Sequence, residues 1–429
     1  MNYQEAMAYL DEIKMAGYSM GLTGIQELCR RLGNPQNATK FVHVAGTNGK
    51  GSVSAYITSV LFEAGYKVGT YSSPAVFENE EIIRFNKEPI TKEDFADIVT
   101  RVKCGADRMV QDGLRQPSLF EVQTAASFLY FKDKECDIAV LEAGLGGADD
   151  ATNVIDKPLL AVLTSISMDH TEYLGDTIAK IAENKSQIIK EGCQVVTAIQ
   201  EPEALSVIQK RADDMKCNVY MTEGVKFSNV EYGIPVQSFS YDKFENVKIR
   251  LLGKYQTENA ATALEAVKAL QAAGYTISDE MVKKGFYNTN WSGRFNIINE
   301  NPLFVIDGAH NADAAKRLAE SIELYFNGKR IIYIMGILKD KDFDKIISTT
   351  AGYADSIITV ATPTAQRTLK SDELAAVVRK YHENVTEADN IENAVKMSLK
   401  LADKDDVIIA FGSLSYLGRL KDAVLSVLR

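Results

Sequence analysis

The run Phe41-Val42-His43-Val44-Ala45-Gly46-Thr47-Asn48-Gly49-Lys50-Gly51-Ser52 concentrates residue types that handle phosphate. Apolar, β-branched residues give way to small ones, and an amphipathic pattern from Val53 to Ala64 follows at once. The run therefore predicts a strand, a glycine-rich turn and a helix N-terminus, which together turn backbone N–H groups and a helix dipole toward an anion. Glycines let the backbone approach the anion, Lys50 adds a point charge, and Ser52 offers a hydroxyl to Mg²⁺. The spacing is not the usual GxxxxGK[ST], because Val44 stands at the first glycine position and Gly51 separates Lys50 from Ser52. A glycine-rich turn without a ligand is the bland alternative. Glycine, lysine and serine all falling where phosphate chemistry needs them argues against it.

Further chemistry gathers where other apolar runs end. Tyr71-Ser72-Ser73-Pro74 closes one run with hydroxyls, Leu141-Glu142-Ala143-Gly144-Leu145-Gly146-Gly147 another with a carboxylate and a second glycine turn, and Ser165-Ile166-Ser167-Met168-Asp169-His170 a third. Lys185 follows on a helical pattern. Taken singly, Glu142 reads as a helix-capping acceptor, His170 as a capping histidine and Lys185 as a surface lysine. Together, on neighbouring strand ends beside a phosphate loop, a hydroxyl, a carboxylate and an imidazole make an oxygen-rich Mg²⁺ site. The same logic returns in Val305-Ile306-Asp307-Gly308-Ala309-His310-Asn311, where Asn311 can also simply cap the next helix, and more weakly in Gly336–Asp342 and Phe411-Gly412-Ser413. Of four histidines, His43, His170 and His310 border these motifs, while His382 reads as a surface residue.

These groups need a scaffold of parallel strands. Apolar runs at Tyr66–Ser72, Asp137–Glu142, Leu159–Ile166 and Gln194–Ile199 alternate with helical patterns at Thr91–Gln111, Phe120–Phe131 and Asp176–Lys190. That alternation implies a mostly parallel sheet covered on both faces. Val225–Leu252 reads as short alternating strands forming an antiparallel edge, and Thr257–Ala273 as a long helix. A second series starts at Leu303–Ile306 and continues through Arg330–Met335, Ser356–Ala361 and Val407–Phe411. A chain of 429 residues exceeds one ordinary core, so two domains are expected, 1–293 and 294–429. The formal charge of −10 argues against nucleic acid and anionic membranes as main partners, leaving small anions that answer to local charge. Five scattered cysteines without CxxC spacing suit free thiols in a reducing compartment. With neither a signal pattern nor an apolar run long enough to span a bilayer, the chain is expected to be cytosolic.

The motifs at 43–52, Glu142–Gly147 with Asp150-Ala151-Thr152-Asn153, Asp169–Gly175, Trp291-Ser292-Gly293-Arg294 and Asp307–Asn311 resemble, in order and over essentially the whole chain, those of the folylpolyglutamate synthase/dihydrofolate synthase branch of the Mur ligase group. The resemblance implies an α/β protein with an N-terminal P-loop NTPase-like domain of mostly parallel sheet and a smaller Rossmann-like C-terminal domain. It implies an ATP-dependent ligase that joins L-glutamate to a folate or pteroate carboxylate through an acyl phosphate, acting as a monomer on small molecules. It assigns Thr47, Asn48, Gly49, Lys50, Gly51, Ser52, Asn259, Arg294 and Asp307 to the nucleotide. Ser52, Ser73, Glu142, His170 and a carbamylated Lys185 would hold Mg²⁺, expected as two ions. His310 and Ser413 would serve the incoming glutamate or the tetrahedral intermediate, and Phe120 with the Asp150-Ala151 turn the acid substrate. Lys50, Lys185, Asp307 and His310 would carry the catalysis.

The chain departs from the family pattern at Ala75, usually His, at Ala148, usually Arg, at Asn184, usually Glu, and at Ser186-Gln187 and Ser292. Most of these changes lie around the substrate and Lys185, so a paralogous ligase acting on another carboxylic acid is the nearest alternative. A nucleotide-binding protein that has lost catalysis is more distant, since it would need neither metal-side nor amine-side residues. Lys50→Ala should leave the fold intact and lower ligation by about 10²–10³-fold, the size of a lost charge-stabilising contact. Normal substrate-dependent ATP turnover by the folded variant would show that Lys50 does not face the phosphates.

Overall fold

The computed structural model describes residues 1–15, 21–363 and 367–428, and the packing divides them into two units. The first contains Met1–Ala75, Asn79–Lys226 and Glu258–Asn288; the second contains Val76–Glu78, Phe227–Thr257 and the chain from Thr289 onward. A single cut near Gly293 does not express this division, because the second unit also recruits two earlier segments.

The strands, in chain order, are β1 (Lys40–Ala45), β2 (Val68–Tyr71), β3 (Ile83–Phe85), β4 (Glu88–Pro89), β5 (Ile138–Glu142), β6 (Leu160–Leu163), β7 (Gln194–Thr197) and β8 (Asn218–Met221) in the first unit's sheet. Their order is β4-β3-β2-β5-β1-β6-β7-β8, parallel throughout except for the β2-β3-β4 edge. Every residue of β2, β5 and β6 is buried, as expected of strands covered on both faces. The helix Lys50–Glu63 is buried continuously from Gly51 to Leu61, with Tyr56 stacked on Phe286 at a centroid distance of 4.9 Å. Because β1, β2, β5 and β6 run in parallel, the residues following Ala45, Tyr71, Glu142 and Leu163 emerge along one sheet edge. The fold thereby gathers four of the sequence motifs.

Local chemistry sets the helix ends. Thr91 Oγ1 accepts from Asp94 N at 3.1 Å and opens Lys92–Gln111. Ser118 and Glu121 form a reciprocal capping box that opens Leu119–Asp133. At the N-terminus, Ala6, Tyr9, Leu10 and Ile13 form the buried stripe of helix Tyr3–Met15.

The segment expected as an antiparallel edge of the main sheet is instead a separate sheet in the second unit, β9 (Phe227–Glu231), β10 (Gln237–Tyr241) and β11 (Phe244–Ile249), ordered β11-β10-β9. Its aromatic side chains pack on one another: the Phe227 ring lies 5.8 Å from Phe239 and 5.0 Å from Tyr241. The second unit's larger sheet comprises β12 (Asn296–Glu300), β13 (Leu303–Ile306), β14 (Ile331–Met335), β15 (Ser356–Thr359), β16 (Val385–Glu387) and β17 (Val407–Phe411). Their order is β12-β13-β17-β14-β15-β16, with only β12 antiparallel, a Rossmann-like α/β arrangement. No described helix is long and apolar enough to cross a membrane.

Gly285, on helix Asp279–Tyr287, lets that helix approach the backbone of Lys50–Glu63: a Cβ there would lie 2.6 Å from Val60 Cα and 2.9 Å from Val60 N. Backbone cannot yield as a flexible side chain can. Gly285→Ala should destabilise the protein by about 1–3 kcal/mol, read as a lowered midpoint of denaturant unfolding; an unchanged midpoint would mean that the helices can part without cost.

Candidate active site

Gly46 (φ +156°) and Gly49 (φ +87°) bracket the loop between β1 and helix Lys50–Glu63. A Cβ at Gly46 would lie 1.9 Å from Thr164 Oγ1, and one at Gly49 would lie 2.4 Å from Asn259 Oδ1, so both positions require glycine. Asn259 thus lies against the phosphate loop. Thr47 and Asn48 are engaged by the loop after β6. Their N–H groups donate to Ser165 O at 2.8 and 3.3 Å, and Thr47 Oγ1 donates to Ser167 O and accepts from Ser167 N, both at 3.0 Å. They tie the loop to the end of β6, and the helix's first turn beside it has N–H groups with no intrahelical acceptor, the kind of donors that suit an anion. Ser52 lies in that turn and is buried. Lys50 Nζ folds back to donate to Gly46 O at 3.2 Å and Thr47 O at 3.3 Å.

Lys185 comes from helix Ile178–Ser186, is buried, and donates from Nζ to the same Gly46 O at 2.8 Å. Burial, reinforced by the Lys50 charge, brings its amine down to about 7, against the opposing pull of Asp169 and Asp150. Asn184 holds the neighbouring turn. Its Oδ1 accepts from Gly147 N at 2.9 Å and Ala148 N at 3.4 Å, and its own carbonyl accepts from Ala148 N at 3.1 Å. The departure from the family pattern at 184 is therefore a clamp between the Lys185 helix and the second glycine turn.

Glu142 ends β5 beside Val44 of β1 and is buried. His170 has a left-handed backbone (φ +51°) at the start of the short helix Thr171–Leu174. Its N–H donates to Asp169 Oδ1 at 2.9 Å, and its Nε2 lies 3.9 Å from that oxygen. Asp169, counted in the motif without a role of its own, thus adds a carboxylate beside His170 and within the electrostatic reach of Lys185. Ser73 and Phe120 meet at Gly144, where a Cβ would lie 3.4 Å from Ser73 Oγ and 2.7 Å from the Phe120 ring. Among the described residues, no three His, Cys, Asp or Glu side chains gather closely enough to hold a metal by themselves. Ser52 and Ser73 offer hydroxyls, Glu142 a carboxylate and His170 an imidazole, groups of the kinds that Mg²⁺ accepts.

Asp150 and Ala151 do not face outward. Asp150 is fully enclosed, its carboxylate accepting from Leu145 N at 2.8 Å and Thr152 N at 3.0 Å, and Ala151 is buried. The Asp150 side chain thus holds its own loop.

In the second unit, Asp307 Oδ2 accepts from Phe295 N at 2.8 Å and Tyr255 Oη at 3.1 Å, while its Oδ1 accepts from Ala309 N at 2.7 Å. Burial raises its pKa, opposed by Arg294 and these hydrogen bonds. Asp307 therefore organises its own turn. Arg294 Nη1 donates to Gly293 O at 2.9 Å and leaves no room for a Cβ at Gly308. His310 Nδ1 pairs with Gly308 O at 2.7 Å; a carbonyl only accepts, so Nδ1 carries the proton. Asn311 caps helix Ala312–Phe326 through Ala314 N at 2.8 Å. Ser413 is buried and accepts from Ser415 N at 3.2 Å.

The Mur ligase middle domain matches residues 44–267, and the Mur ligase glutamate ligase domain matches residues 293–414. A dihydrofolate synthase/folylpolyglutamate synthase of Bacillus subtilis is 34% identical over 98% of both chains. A folylpolyglutamate synthase of Lacticaseibacillus casei is 31% identical over 99% of both. The structure of the Mycobacterium tuberculosis folylpolyglutamate synthase complexed with ADP superposes with a TM-score of 0.91, at 26% identity and 99% coverage of each chain.

Lys185 makes stability depend on pH in a defined direction. Its amine titrates at 10.5 in the unfolded chain and at about 7 in the fold, so between those values the unfolded chain holds a proton that the fold does not. Stability therefore rises with pH across this window, and the cost of burying the amine is full below about 7. In CO₂-depleted buffer, Lys185→Met should be more stable than the native protein near neutral pH, with the gain shrinking toward the alkaline end. Urea denaturation across the window measures it. A gain independent of pH would show that Lys185 titrates as an ordinary lysine.

Proposed function

The chain belongs to the Mur ligase family, in its folylpolyglutamate/dihydrofolate synthase branch, and on that premise we propose that it joins L-glutamate to the carboxylate of a folate or pteroate using ATP. The observation that carries this reading is the convergence of Lys50 and Lys185 on the Gly46 carbonyl, beside a helix N-terminus and the Glu142 and His170 motifs. Such a site suits phosphoryl transfer, in which positioning and charge neutralisation dominate.

In the proposed reaction the γ-phosphoryl of ATP passes to the acid's carboxylate, giving an acyl phosphate and ADP. The glutamate amine then attacks the acyl carbon, the amide bond forms, and phosphate leaves with the C–O bonding pair. Lys50 and the first-turn N–H groups hold the phosphates. Ser73, Gly144 and Phe120 form the side that receives the acid. Two Mg²⁺ ions, held by Ser52, Ser73, Glu142, His170 and a Lys185 carbamate, would neutralise charge on the transferring group. An amine titrating at about 7 is substantially neutral at cytosolic pH, the form that adds CO₂, which supports the carbamate at Lys185. In the second unit, His310 is proposed to orient the glutamate amine or accept its proton, because the Nδ1–H bond to Gly308 O makes Nε2 the basic nitrogen. Ser413 would shape the adjoining turn. The protein is proposed to work in the cytosol as a monomer.

The test incubates purified protein with ATP, Mg²⁺, L-glutamate and a panel of pterin acids, with and without bicarbonate, and weighs the products. The expected result is a folate- or pteroate-derived product heavier by one glutamyl residue. A product from a different acid alone would place the chain among paralogous ligases. In the same assay, Lys185→Ala should lose activity and be partly rescued by acetate; without rescue, Lys185 acts as an amine and not as an oxygen ligand.

A further inference from the structure

His43 is a histidine in the interior of a parallel sheet. It sits on β1 between Leu141 of β5 and Ala161 of β6 and has no exposed surface. An aliphatic side chain would fill such a position at no polar cost. The imidazole instead reaches across to the loop after β5, where Nε2 lies 2.8 Å from Thr152 Oγ1.

The rest of the chain of contacts fixes which atom donates. Thr152 Oγ1 donates to Asp150 Oδ1, which also accepts from Thr152 N at 3.0 Å. Asp150 Oδ2 accepts from Leu145 N at 2.8 Å. With both oxygens receiving N–H groups, Asp150 acts as the acceptor and the Thr152 proton points to it. Thr152 Oγ1 must then accept from His43, so the proton of the neutral ring is on Nε2. His43 Nδ1 is left buried without a hydrogen-bond partner. Burial, with a smaller contribution from Lys190, lowers His43 to about 3, so the ring stays neutral in the physiological range. An orphaned buried nitrogen is costly, and aliphatic replacement would remove that cost.

The relay runs His43 Nε2–H to Thr152 Oγ1 and Thr152 Oγ1–H to Asp150 Oδ1, while Leu145 N–H donates to Asp150 Oδ2. It joins the strand that delivers the phosphate loop to the turn Gly144–Gly147. That turn adjoins Ser73 and Phe120 at Gly144 and is gripped from its other side by Asn184. We infer that His43 and Thr152 are positioning residues for the ligase reaction, setting the Gly144–Gly147 turn against the phosphate loop through Asp150. The inference rests on the ligase reading given above.

The tautomer is read first, by ¹⁵N NMR of the full-length protein with labelled histidine, assigning His43 by its loss in His43→Gln. The expected signal is a neutral ring protonated on Nε2 and unchanged from about pH 6 to 8; an Nδ1–H or titrating ring would overturn the relay. The kinetic arms use wild-type protein already shown to ligate, so a failure of the proposed function appears in the wild type and a failure of this inference only in the variants. His43→Leu and Thr152→Val should each raise KM for the acid substrate or lower kcat by about tenfold, the size of one hydrogen bond, with KM for ATP within about twofold. His43→Leu should unfold no earlier than the native protein, and the double variant should be no worse than either single one. His43→Gln, which can place an N–H near Thr152 Oγ1, should restore most of the activity. Unchanged kinetics in folded His43→Leu, additive losses in the double variant, or losses that simply follow stability would each overturn the inference.

Discussion

The Gly46 carbonyl oxygen accepts from Lys185 Nζ at 2.8 Å and from Lys50 Nζ at 3.2 Å, which brings two lysine nitrogens to within about 6 Å of each other. Were both charged, their repulsion at an effective dielectric near 20 would cost about 3 kcal/mol. Two responses are visible. Lys185, held toward its neutral form first by burial and then by the Lys50 charge, avoids the full repulsion, and Asp169 stands near enough to pull the other way. A phosphate is a third, since the adjacent helix N-terminus favours negative charge. The backbone follows from this convergence: Gly46 must lack a Cβ because Thr164 closes over it, and β1 must lie between β5 and β6 for Lys185, Glu142 and the β6 loop to reach the same strand end.

The sequence was most legible where burial and periodicity agree. β5, β6 and β14 read as continuous apolar runs because helices cover both faces of a parallel sheet, and Thr91 marked its helix because a hydroxyl there takes the Asp94 N–H. The β3–β4 edge was not legible. Its strands are short, and they are joined by Asn86 and Lys87 at positive φ, a turn without glycine. The β9–β11 segment read correctly as short strands, but strand periodicity carries no information about which sheet a strand joins.

The site divides along the same line. Residue types announced a phosphate loop, a carboxylate and an imidazole, whereas Lys185 by itself reads as a surface lysine and is in fact buried. Direction was hidden. Asp150 sits in a motif associated with the acid substrate, yet it turns inward, because the backbone N–H groups of Leu145 and Thr152 compete for its oxygens. Nothing in the sequence showed that the carbonyl of Ser165 takes the N–H groups of Thr47 and Asn48.

The polar residues of this edge thus fall into two sets with different physical duties. Lys50, Lys185, Glu142 and His170 have the charge or ligand character that chemistry on a phosphate requires. Thr47, Asn184, Asp150 and Asn259 engage or abut backbone that would otherwise be free to move, and the turns they hold contain glycine. Glycine permits the close approach the phosphate loop needs, and its conformational freedom is a liability in the same place. A glycine turn places dipoles accurately only when something else removes that freedom, and electrostatic stabilisation depends on dipoles that need not reorganise. Asn184 shows the economy of this arrangement. As a neutral amide it accepts two N–H groups beside Lys185 without adding a negative charge, so the turn is held while the lysine's shifted protonation is left undisturbed. A carboxylate at 184 could hold the same turn, but it would stabilise the lysine's charged form. In this chain the holding of the turn and the protonation of the lysine are therefore controlled by separate groups.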